Sequence, residues 1–432
     1  MDTIFALASG APPSAVSVIR VSGPIALTVA NTLACRTFRP RVATLAELKS
    51  PGGLGTIDQG LVIAFPGPNS FTGDDLVEFQ THGSRAVVRT MFECLGKLGC
   101  RPARPGEFTR RAFLNGKLDL TAVEALGDLI DSETELQRRQ AITGLTGKLF
   151  STIGGWRAQL LEMLTTLEAV IDFVDEGDIP ESIQNDISFK LAKLDADIVG
   201  VLASSVRGQA IRDGLTVVIL GPPNAGKSAL MNAIAGRDVA IVSARAGTTR
   251  DPLEIRIELD GLPVTFVDTA GLREASDEIE REGIRRARAR SEKADLILWL
   301  SEGDDFAPSY LRDRPVLNVR TKIDVDDARP AGFDHFISTV SSLGVAELLN
   351  NIGLALKLGS AGFEPSLVTR SRQKAQIERA LVCIREARRA DLDVELISEE
   401  LRRASAELDG LVGLINSEDI LNEVFRTFCL GK

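Results

Sequence analysis

Short apolar runs separated by turn-forming residues characterise the first part of the chain. Residues 16–21, 60–65 and 76–79 are rich in Val, Ile, Leu and Phe, and pieces rich in Pro and Gly lie between them. A stretch whose apolar residues recur at helical spacing follows, from about Ser84 to Leu98. Strands mixed with a helix in this way predict an α+β domain over residues 1–118.

The apolar spacing becomes helical from Asp119 onward and does so again near the end of the chain. The positions concerned are Trp156, Leu160, Leu164, Leu167 and Ile171, and later Ile377, Leu381 and Ile384. Between them, residues 213–363 alternate strand, loop and helix, which is typical of an α/β domain. Because a domain with neighbouring termini can be inserted into a surface loop of another, we predict a helical domain in two parts, 119–212 and 364–432, around an inserted α/β domain.

A phosphate-binding loop opens the inserted stretch. An apolar run, residues 215–220, leads into Gly221-Pro-Pro-Asn-Ala-Gly-Lys-Ser228, and helix-forming residues follow. The glycines let backbone amides approach phosphate oxygens, Lys227 reaches the β- and γ-phosphates, and Ser228 can ligate Mg²⁺. This pattern between a strand and a helix indicates nucleotide triphosphate binding.

Two further segments follow at the distances that a nucleotide hydrolase requires. Asp268-Thr-Ala-Gly271 comes after an apolar strand that an Asp260-Gly261 turn pairs with the strand before it. The Asp268 carboxylate can hold Mg²⁺ through water, and the Gly271 amide can sense the γ-phosphate. Gly247-Thr-Thr-Arg-Asp251 supplies the hydroxyl of Thr249 on a loop that can close over the metal.

The segment Thr321-Lys-Ile-Asp324 favours guanine as the base. Asp324 can accept hydrogen bonds from the guanine N1–H and amino group, while the Lys322 stem covers the ring. Thr321 stands where the Asn-Lys-x-Asp pattern has Asn, and it offers one hydroxyl in place of a two-ended amide, so the tightness of binding stays open. The Asp also argues against an ATPase scaffold.

The residues that would drive hydrolysis are less direct to identify. Leu272 occupies the position where small signalling GTPases place the Gln that orients water, so another group must do this. Glu280 and Glu282 are candidates, with solvated helix positions as the alternative. The amide oxygen of Asn224 could hold a monovalent cation beside the phosphates.

Composition narrows the partners and the compartment. The net charge of −10 argues against a protein that coats a nucleic acid or an anionic membrane, so any RNA must be met locally. Five cysteines without a Cys-x-x-Cys pair, and two histidines, argue against zinc sites and disulfides. No basic leader and no run of about 18 apolar residues is present, so we expect a cytoplasmic protein.

Two arginine groups could form an RNA footprint or solvated surfaces: Arg101, Arg104, Arg110 and Arg111, and Arg285, Arg286, Arg288 and Arg290.

Motifs along the whole chain resemble those of the tRNA-modifying GTPase family MnmE (TrmE). They include the phosphate loop, Gly247–Asp251, and Asp268-Thr-Ala-Gly-Leu-Arg-Glu-Ala-Ser-Asp-Glu-Ile-Glu280. Outside the inserted domain they are Phe65-Pro-Gly-Pro-Asn-Ser-Phe-Thr-Gly73, Arg104-Pro-Gly-Glu-Phe-Thr-Arg-Arg-Ala-Phe-Leu-Asn-Gly-Lys-Leu-Asp-Leu120 and Phe428-Cys-Leu-Gly-Lys432. The end signatures are far more specific than the phosphate loop, which alone indicates only a GTPase.

The resemblance implies a multidomain α/β protein with an N-terminal α+β domain, a helical domain and an inserted Ras-like G domain with a mainly parallel sheet. The N-terminal domain would form a homodimer and bind a 5-formyl or 5,10-methylene derivative of tetrahydrofolate. With the flavoprotein MnmG in a heterotetramer, the family installs an aminomethyl-type group, such as carboxymethylaminomethyl, at C5 of the wobble uridine of certain tRNAs. GTP hydrolysis would use Mg²⁺, K⁺ and transient pairing of G domains.

The resemblance also assigns roles to individual residues. Glu280 would orient the attacking water, and Ser228 and Thr249 would ligate Mg²⁺. The K⁺ ligands would be Asn224, Thr248 and the carbonyls of Ser243 and Arg245, and the folate site would use Arg20, Glu78, Lys117 and Lys432. The full GTP site would comprise Asn224, Ala225, Gly226, Lys227, Ser228, Ala229, Ser243, Ala244, Arg245, Ala246, Gly247, Thr248, Thr249, Asp268, Thr269, Ala270, Gly271, Thr321, Lys322 and Asp324.

Physical chemistry supports the folate assignments. The amino-pyrimidinone edge of a pterin resembles guanine, so Glu78 suits its paired N–H donors, and Arg20 or Lys117 suits its carbonyls or glutamate tail. Cys429 is either a reactive thiol or a buried cysteine at a helix end.

A second function fits the inserted domain equally well: a ribosome-assembly GTPase that binds RNA without modifying it. Such proteins usually carry a KH-type module with a G-x-x-G loop in a βααβ unit. Gly52-Gly-Leu-Gly55 matches that loop by its letters and lies in a connection rich in Pro and Gly.

Overall fold

The structure is a computed structural model and describes residues 2–52, 55–173, 181–236, 240–241, 254–268, 292, 294–311, 314–356, 365–389, 393–414, 425 and 431. Statements about structure below refer to these residues. They form two compact units: Met1–Gly127 with Gly144–Ala196 and Ala375–Lys432, and Asp128–Thr143 with Asp197–Lys374. The domain boundaries given above stay a prediction. Among the described residues, no helix has the length and apolar character of a membrane span.

A six-stranded sheet organises the start of the first unit. Its strands are β1 (Ile4–Leu7), β2 (Ser14–Ser22), β3 (Thr44–Lys49), β4 (Thr56–Phe65), β5 (Leu76–Gly83) and β6 (Arg101–Pro102). They lie in the order β3-β4-β5-β2-β1-β6, antiparallel except for β1 and β6. This confirms the predicted α+β character, and the three predicted runs lie in β2, β4 and β5.

Two helices cover one face of this sheet, α1 (Ala26–Ala34) and α2 (Arg85–Lys97). Ser84 caps α2, because its hydroxyl accepts hydrogen bonds from the backbone N–H groups of Ala86 and Val87. Leu33 and Met91 of the two helices are fully buried against strand residues such as Phe79. The helix predicted from about Ser84 to Leu98 is thus confirmed.

The other face of the sheet is only partly covered. Helix α3 (Glu107–Leu114) buries Phe108 in a cluster with Ile4, Ala6 and Ala103 of the β1 and β6 region. Further along, the strand register puts Leu45, Leu61, Gln80 and Val18 in one row across four strands. Leu45 and Leu61 of this row are exposed.

Helices follow the sheet: α4 (Leu120–Ile130), α5 (Glu135–Leu145), α6 (Lys148–Phe173), α7 (Glu181–Ala203) and α8 (Ser205–Asp213). The apolar repeat predicted for this region is the buried face of α6, where Trp156, Leu160 and Leu167 are inside. Such a face at 3.6-residue spacing is what a helix needs to pack in a helical domain.

The second unit contains a seven-stranded sheet. Its strands are β7 (Leu215–Leu220), β8 (Ala240–Ile241), β9 (Glu254–Leu259), β10 (Leu262–Asp268), β11 (Leu296–Ser301), β12 (Val316–Arg320) and β13 (His335–Phe336). The order is β13-β12-β11-β7-β10-β9-β8, parallel from β13 to β10 and antiparallel at β9 and β8. The mainly parallel sheet is confirmed, as is the Asp260-Gly261 turn between β9 and β10.

Helices α9 (Lys227–Ala235) and α10 (Val345–Ala355) pack on this sheet and share its core. Two more helices end the described chain, α11 (Ser371–Ala387) and α12 (Val394–Val412). Ile377, Leu381 and Ile384 are buried on α11, as their helical spacing predicts. Helix α12 packs along α6 in the first unit.

Candidate functional site

The phosphate loop lies between β7 and α9, at the edge where the parallel strands end. Gly221 has φ +148°, and a Cβ there would lie 2.1 Å from the carbonyl oxygen of Leu300 on β11. Only glycine fits this approach, so the chain can leave the sheet sharply and start a helix at Lys227. The N-terminus of α9 then points its backbone N–H groups toward the loop.

Lys227 lies inside the curl of the loop. Its Nζ donates hydrogen bonds to the carbonyl oxygens of Gly221, at 2.9 Å, and Pro222, at 2.7 Å. Burial lowers the pKa of Lys227, and the nearby Asp268 carboxylate opposes this effect. The ammonium is thus fixed where a phosphate group would meet the start of α9.

Two oxygen ligands stand together at the same edge. The Ser228 hydroxyl donates a hydrogen bond to Asp268 Oδ2 at 3.0 Å. The contact follows from the topology, because β10 lies parallel to β7 and Asp268 pairs with Ile219 near the end of that strand. A hydroxyl and a carboxylate this close are the hard oxygen donors that Mg²⁺ prefers, so the pair fits that ion.

Thr321 connects the base-recognition segment to the phosphate loop. Its buried hydroxyl lies 3.0 Å from the carbonyl oxygen of Ala225 and 3.3 Å from that of Ser301, and its single hydrogen bonds one of them at a time. Nearby, Asp324 is exposed, and Lys322, with φ +58°, forms an ion pair with Glu302. The structure therefore brings Ala225, Lys227, Ser228, Asp268 and Thr321 to one edge of the sheet.

Other predicted residues lie outside the described residues. These are Ser243, Ala244, Arg245, Ala246, Gly247, Thr248, Thr249, Thr269, Ala270, Gly271, Glu280, Cys429 and Lys432, with Glu282 and the arginines at 285, 286, 288 and 290. Of the predicted K⁺ ligands, Asn224 is described; it is exposed and has φ +64°.

A second site lies on the first unit's sheet, where Arg20 of β2 faces Glu78 of β5. The Nε and one terminal nitrogen of Arg20 donate hydrogen bonds to Glu78 Oε1 at 3.1 and 2.8 Å. The guanidinium also lies over two aromatic rings, 5.5 Å from the centroid of Phe71 and 5.9 Å from that of Phe108. Two predicted site residues that lie far apart in the sequence thus form one charged pair.

A cavity of about 400 Å³ opens beside this pair. Its lining consists of Arg41, Phe65, Asn69, Ser70, Phe71, Leu76 and Glu78. Sequence reasoning did not assign Phe65, Asn69, Ser70 or Phe71, although all four belong to the Phe65–Gly73 motif. No sequence motif pointed to Arg41. Its guanidinium lies 5.7 Å from the centroid of the Phe65 ring, which also lines the cavity.

In the structure, Lys117 lies outside the cavity lining, and Gly431 packs against β1. The Lys117 side chain is exposed at the end of α3 and does not line the cavity. Gly431, with φ +97°, packs so tightly on β1 that a Cβ would lie 2.2 Å from the Leu7 carbonyl oxygen. β1 pairs with β2, and Ala6 lies opposite Arg20.

Part of the predicted RNA footprint is engaged in ion pairs. A terminal nitrogen of Arg101 lies 2.5 Å from Glu107 Oε1, and Arg111, which is buried, lies 3.0 Å from Asp2. These arginines stabilise the packing of α3 against the start of the chain. Buried Arg111 therefore fits neither the expected RNA footprint nor a solvated surface, whereas Arg101 is half-buried and held in its ion pairs.

Comparison with known proteins gives matches over nearly the whole chain. The family model described as the MnmE helical domain matches residues 120–429, and that of the GTP-binding protein TrmE N-terminus matches residues 3–117. The chain belongs to the MnmE (TrmE) family. This confirms the resemblance and the multidomain α/β architecture with an N-terminal α+β domain, a helical domain and an inserted G domain.

Three relatives illustrate how complete the match is, each named tRNA modification GTPase MnmE. Those of Bradyrhizobium sp. (strain ORS 278) and Azorhizobium caulinodans are 47% identical, over 100% of this chain and 99% of each relative. That of Parvibaculum lavamentivorans is 44% identical, over 100% of both chains. The alignments with these relatives therefore cover the full length of this chain.

The structure also bears on the KH-type alternative. Gly52 and Gly55 lie in the connection between β3 and β4, which are antiparallel neighbours. A KH loop is instead expected within a βααβ unit. The G-x-x-G match at 52–55 is therefore an ordinary strand connection.

Proposed function

We propose that this protein hydrolyses GTP and, with MnmG, installs an aminomethyl-type group at C5 of the wobble uridine of certain tRNAs. The observation that carries the proposal is the meeting of Lys227, the Ser228–Asp268 pair and Thr321 at one sheet edge, in a chain aligned end to end with MnmE relatives. The relatives' name, tRNA modification GTPase, supports GTP hydrolysis and tRNA modification, and the geometry supports a site able to bind the nucleotide.

At the nucleotide site, each side chain has a chemical task. Lys227 neutralises the β- and γ-phosphates from inside the loop, and Asp324 accepts the N1–H and amino hydrogens of guanine. Ser228 and Thr249 would hold Mg²⁺, with Asp268 acting through water. The ion would supply positive charge to the bridging and γ-phosphate oxygens.

Hydrolysis also needs a positioned water and a further positive charge. Leu272 has no polar group, and we assign the first task to Glu280, the residue to which the resemblance to the family gives this role. Asn224, Thr248 and the carbonyls of Ser243 and Arg245 would hold K⁺, whose charge would stabilise the transition state as G domains pair. The exposed Asn224 amide is the described part of this ligand set.

The cavity beside Arg20 and Glu78 is the proposed site of the 5-formyl or 5,10-methylene tetrahydrofolate. Phe65 and Phe71 both line the cavity and would offer aromatic surface to a flat pterin, and Glu78 could accept hydrogen bonds from its amino-pyrimidinone edge. The folate would supply the carbon that is transferred. Gly431 on β1 supports a role for Lys432 at this site, while Lys117 would have to act on the more distant glutamate tail.

We further propose a homodimer that joins through the N-terminal domain and combines with MnmG in the cytoplasm. Leu45 and Leu61, exposed on neighbouring strands, form a short apolar strip on the face of the first sheet that the described residues cover only partly. Burial of such a strip against a second copy removes apolar surface from water. The strip neighbours the Arg20–Glu78 pair, so pairing would place each folate site near the dimer interface.

Exchange of the base specificity tests the nucleotide site. Xanthine carries a carbonyl where guanine carries its amino group, so the Asp324→Asn variant should prefer XTP over GTP, whereas the wild type should hydrolyse GTP and neither XTP nor ATP. Glu280→Ala should lower kcat by about 10²–10³-fold and leave nucleotide affinity intact. Equal GTP and ATP hydrolysis by the wild type would refute the proposal.

A further inference from the structure

The segment Asp128–Thr143 belongs to the nucleotide-binding unit, although the rest of that unit begins only at Asp197. It comprises the end of α4, a short connection and most of α5. It lies outside the stretch 213–363 that carries the phosphate loop. Its contacts within the unit fall into two groups.

One group joins the segment to the β9–β10 hairpin. Arg256 lies in the middle of β9, and its Nε is 2.9 Å from Glu133 Oε2, with about a quarter of each side chain exposed. Leu136 packs on the core of the seven-stranded sheet. A Cβ on Gly261, in the hairpin turn, would lie 2.8 Å from Leu136 Cδ1.

The other group fixes the segment to the chain that enters and leaves the inserted stretch. Gln137 and Gln140 donate side-chain hydrogen bonds to the carbonyl oxygens of Arg212, at 3.0 Å, and Gly208, at 2.9 Å, on α8. Asp128 Oδ1 accepts from Arg212 Nε at 2.9 Å and from Arg370 at 2.6 Å. These hydrogen bonds hold the segment in place, and the segment in turn contacts the hairpin through Glu133 and Leu136.

The hairpin connects the two loops on which hydrolysis depends. β9 begins at Glu254, just after the predicted metal-binding loop 243–251, and β10 ends at Asp268, beside Ser228. A shift of the hairpin along β7 would move Asp268 at the end of β10. The position of Arg256 therefore bears on Asp268, which would act on the predicted Mg²⁺ through water, beside its ligand Ser228.

We propose that Glu133 is a positioning residue for GTP hydrolysis: through Arg256 it fixes the β9–β10 hairpin, and so Asp268 beside Ser228, from outside the inserted domain. Leu136 holds the turn of the same hairpin by packing. The inference rests on the proposed GTPase function.

Charge exchange tests the pair. E133R and R256E each place two like charges in contact, so each should lower kcat about tenfold and change nucleotide affinity less than twofold. The double variant E133R/R256E should recover to within about twofold of wild type, because the ion pair is restored in reverse. E135R is the matched control and should keep wild-type kcat, since Glu135 pairs with Arg138 and Arg139 of its own helix.

One further variant, E133Q, separates loss of the ion pair from repulsion. E133Q removes the charge without adding repulsion, so it tests the ion pair even where E133R folds poorly. It should lower kcat, but less than E133R does. Wild-type kcat in E133R and E133Q, or a double variant no better than the single ones, would overturn the inference alone. A wild-type protein without GTPase activity would instead overturn the proposed function.

Discussion

Thr321 can donate its hydroxyl hydrogen to the carbonyl of Ala225, 3.0 Å away, and this contact ties the end of β12 to the phosphate loop. Thr321 stands where the Asn-Lys-x-Asp pattern has Asn. A threonine can keep this tie because one donor is sufficient for one carbonyl. Unlike asparagine, threonine has no second polar atom in its side chain with which to stabilise another part of the site.

Removal of that hydroxyl should weaken nucleotide binding. In Thr321→Val the buried Ala225 carbonyl loses this donor, at a cost of about 1–2 kcal/mol, so we expect roughly tenfold weaker binding of GDP and GTP. Titration with a fluorescent guanine nucleotide measures this. Thr321→Ser keeps the hydroxyl and should stay within about threefold of wild type; equal affinity in the Val variant would show that the tie has no role.

Hydrolysis should depend on the monovalent cation. Leu272 cannot orient water and the phosphate loop contains no arginine, whereas neutralisation of transition-state charge by an arginine finger is typically worth about 10³–10⁵ in rate. We therefore expect much faster GTP hydrolysis in KCl than in NaCl at equal ionic strength, with ammonium or rubidium able to replace K⁺.

The Asn224→Ala variant serves as the control for this cation effect. It should hydrolyse GTP at the same slow rate in both salts, because the proposed amide ligand is gone. Equal wild-type rates in Na⁺ and K⁺ would exclude the cation site and direct attention to Arg250 and Arg273 as sources of charge.

Folate binding should depend on the charge of Glu78. Glu78→Gln removes the carboxylate that would accept two pterin hydrogens, so affinity for 5-formyltetrahydrofolate should fall about tenfold or more in calorimetric titration. Glu47→Gln, on exposed β3, is the matched control and should bind as wild type does. Unchanged affinity in Glu78→Gln would place the ligand elsewhere.

The last four residues should serve modification and not hydrolysis. Gly431 packs on β1, next to the strand that carries Arg20, and the nucleotide edge belongs to the other compact unit. Deletion of Cys429–Lys432 should therefore abolish tRNA modification in cells and leave GTPase activity nearly intact. Modified tRNA in the deletion strain would contradict the assignment.

Local pattern predicted much of the fold, and pairings between distant residues account for what it missed. β1 was missed because Ile4, Phe5 and Ala6 are all buried, so the run shows no alternation. The predicted site residues at one edge of the second sheet lie close together because parallel strands end at the same edge, and this could be predicted from the sequence. The contact of Glu133 with Arg256 joins segments far apart in sequence, and neither residue carries a local signal.

The folate side shows the same division. The motif Phe65–Gly73 can be seen in the sequence, but the cavity that it lines also includes Arg41. The backbone N–H of Arg41 donates a hydrogen bond to the Ala64 carbonyl oxygen at 2.8 Å, which brings Arg41 beside the motif. That contact could not be read from the residues around Arg41. The ion pairs of Arg101 and Arg111 were hidden for the same reason, since their partner Asp2 lies near the start of the chain.

Nucleoside analysis of tRNA tests the central claim most directly. Digested tRNA from cells that lack this protein should have lost the C5 aminomethyl-type group from the wobble uridine. Expression of the wild-type chain should restore it, and expression of the Lys227→Ala variant, which lacks the phosphate-binding ammonium, should not. Unchanged wobble uridines in the cells without the protein would contradict the account.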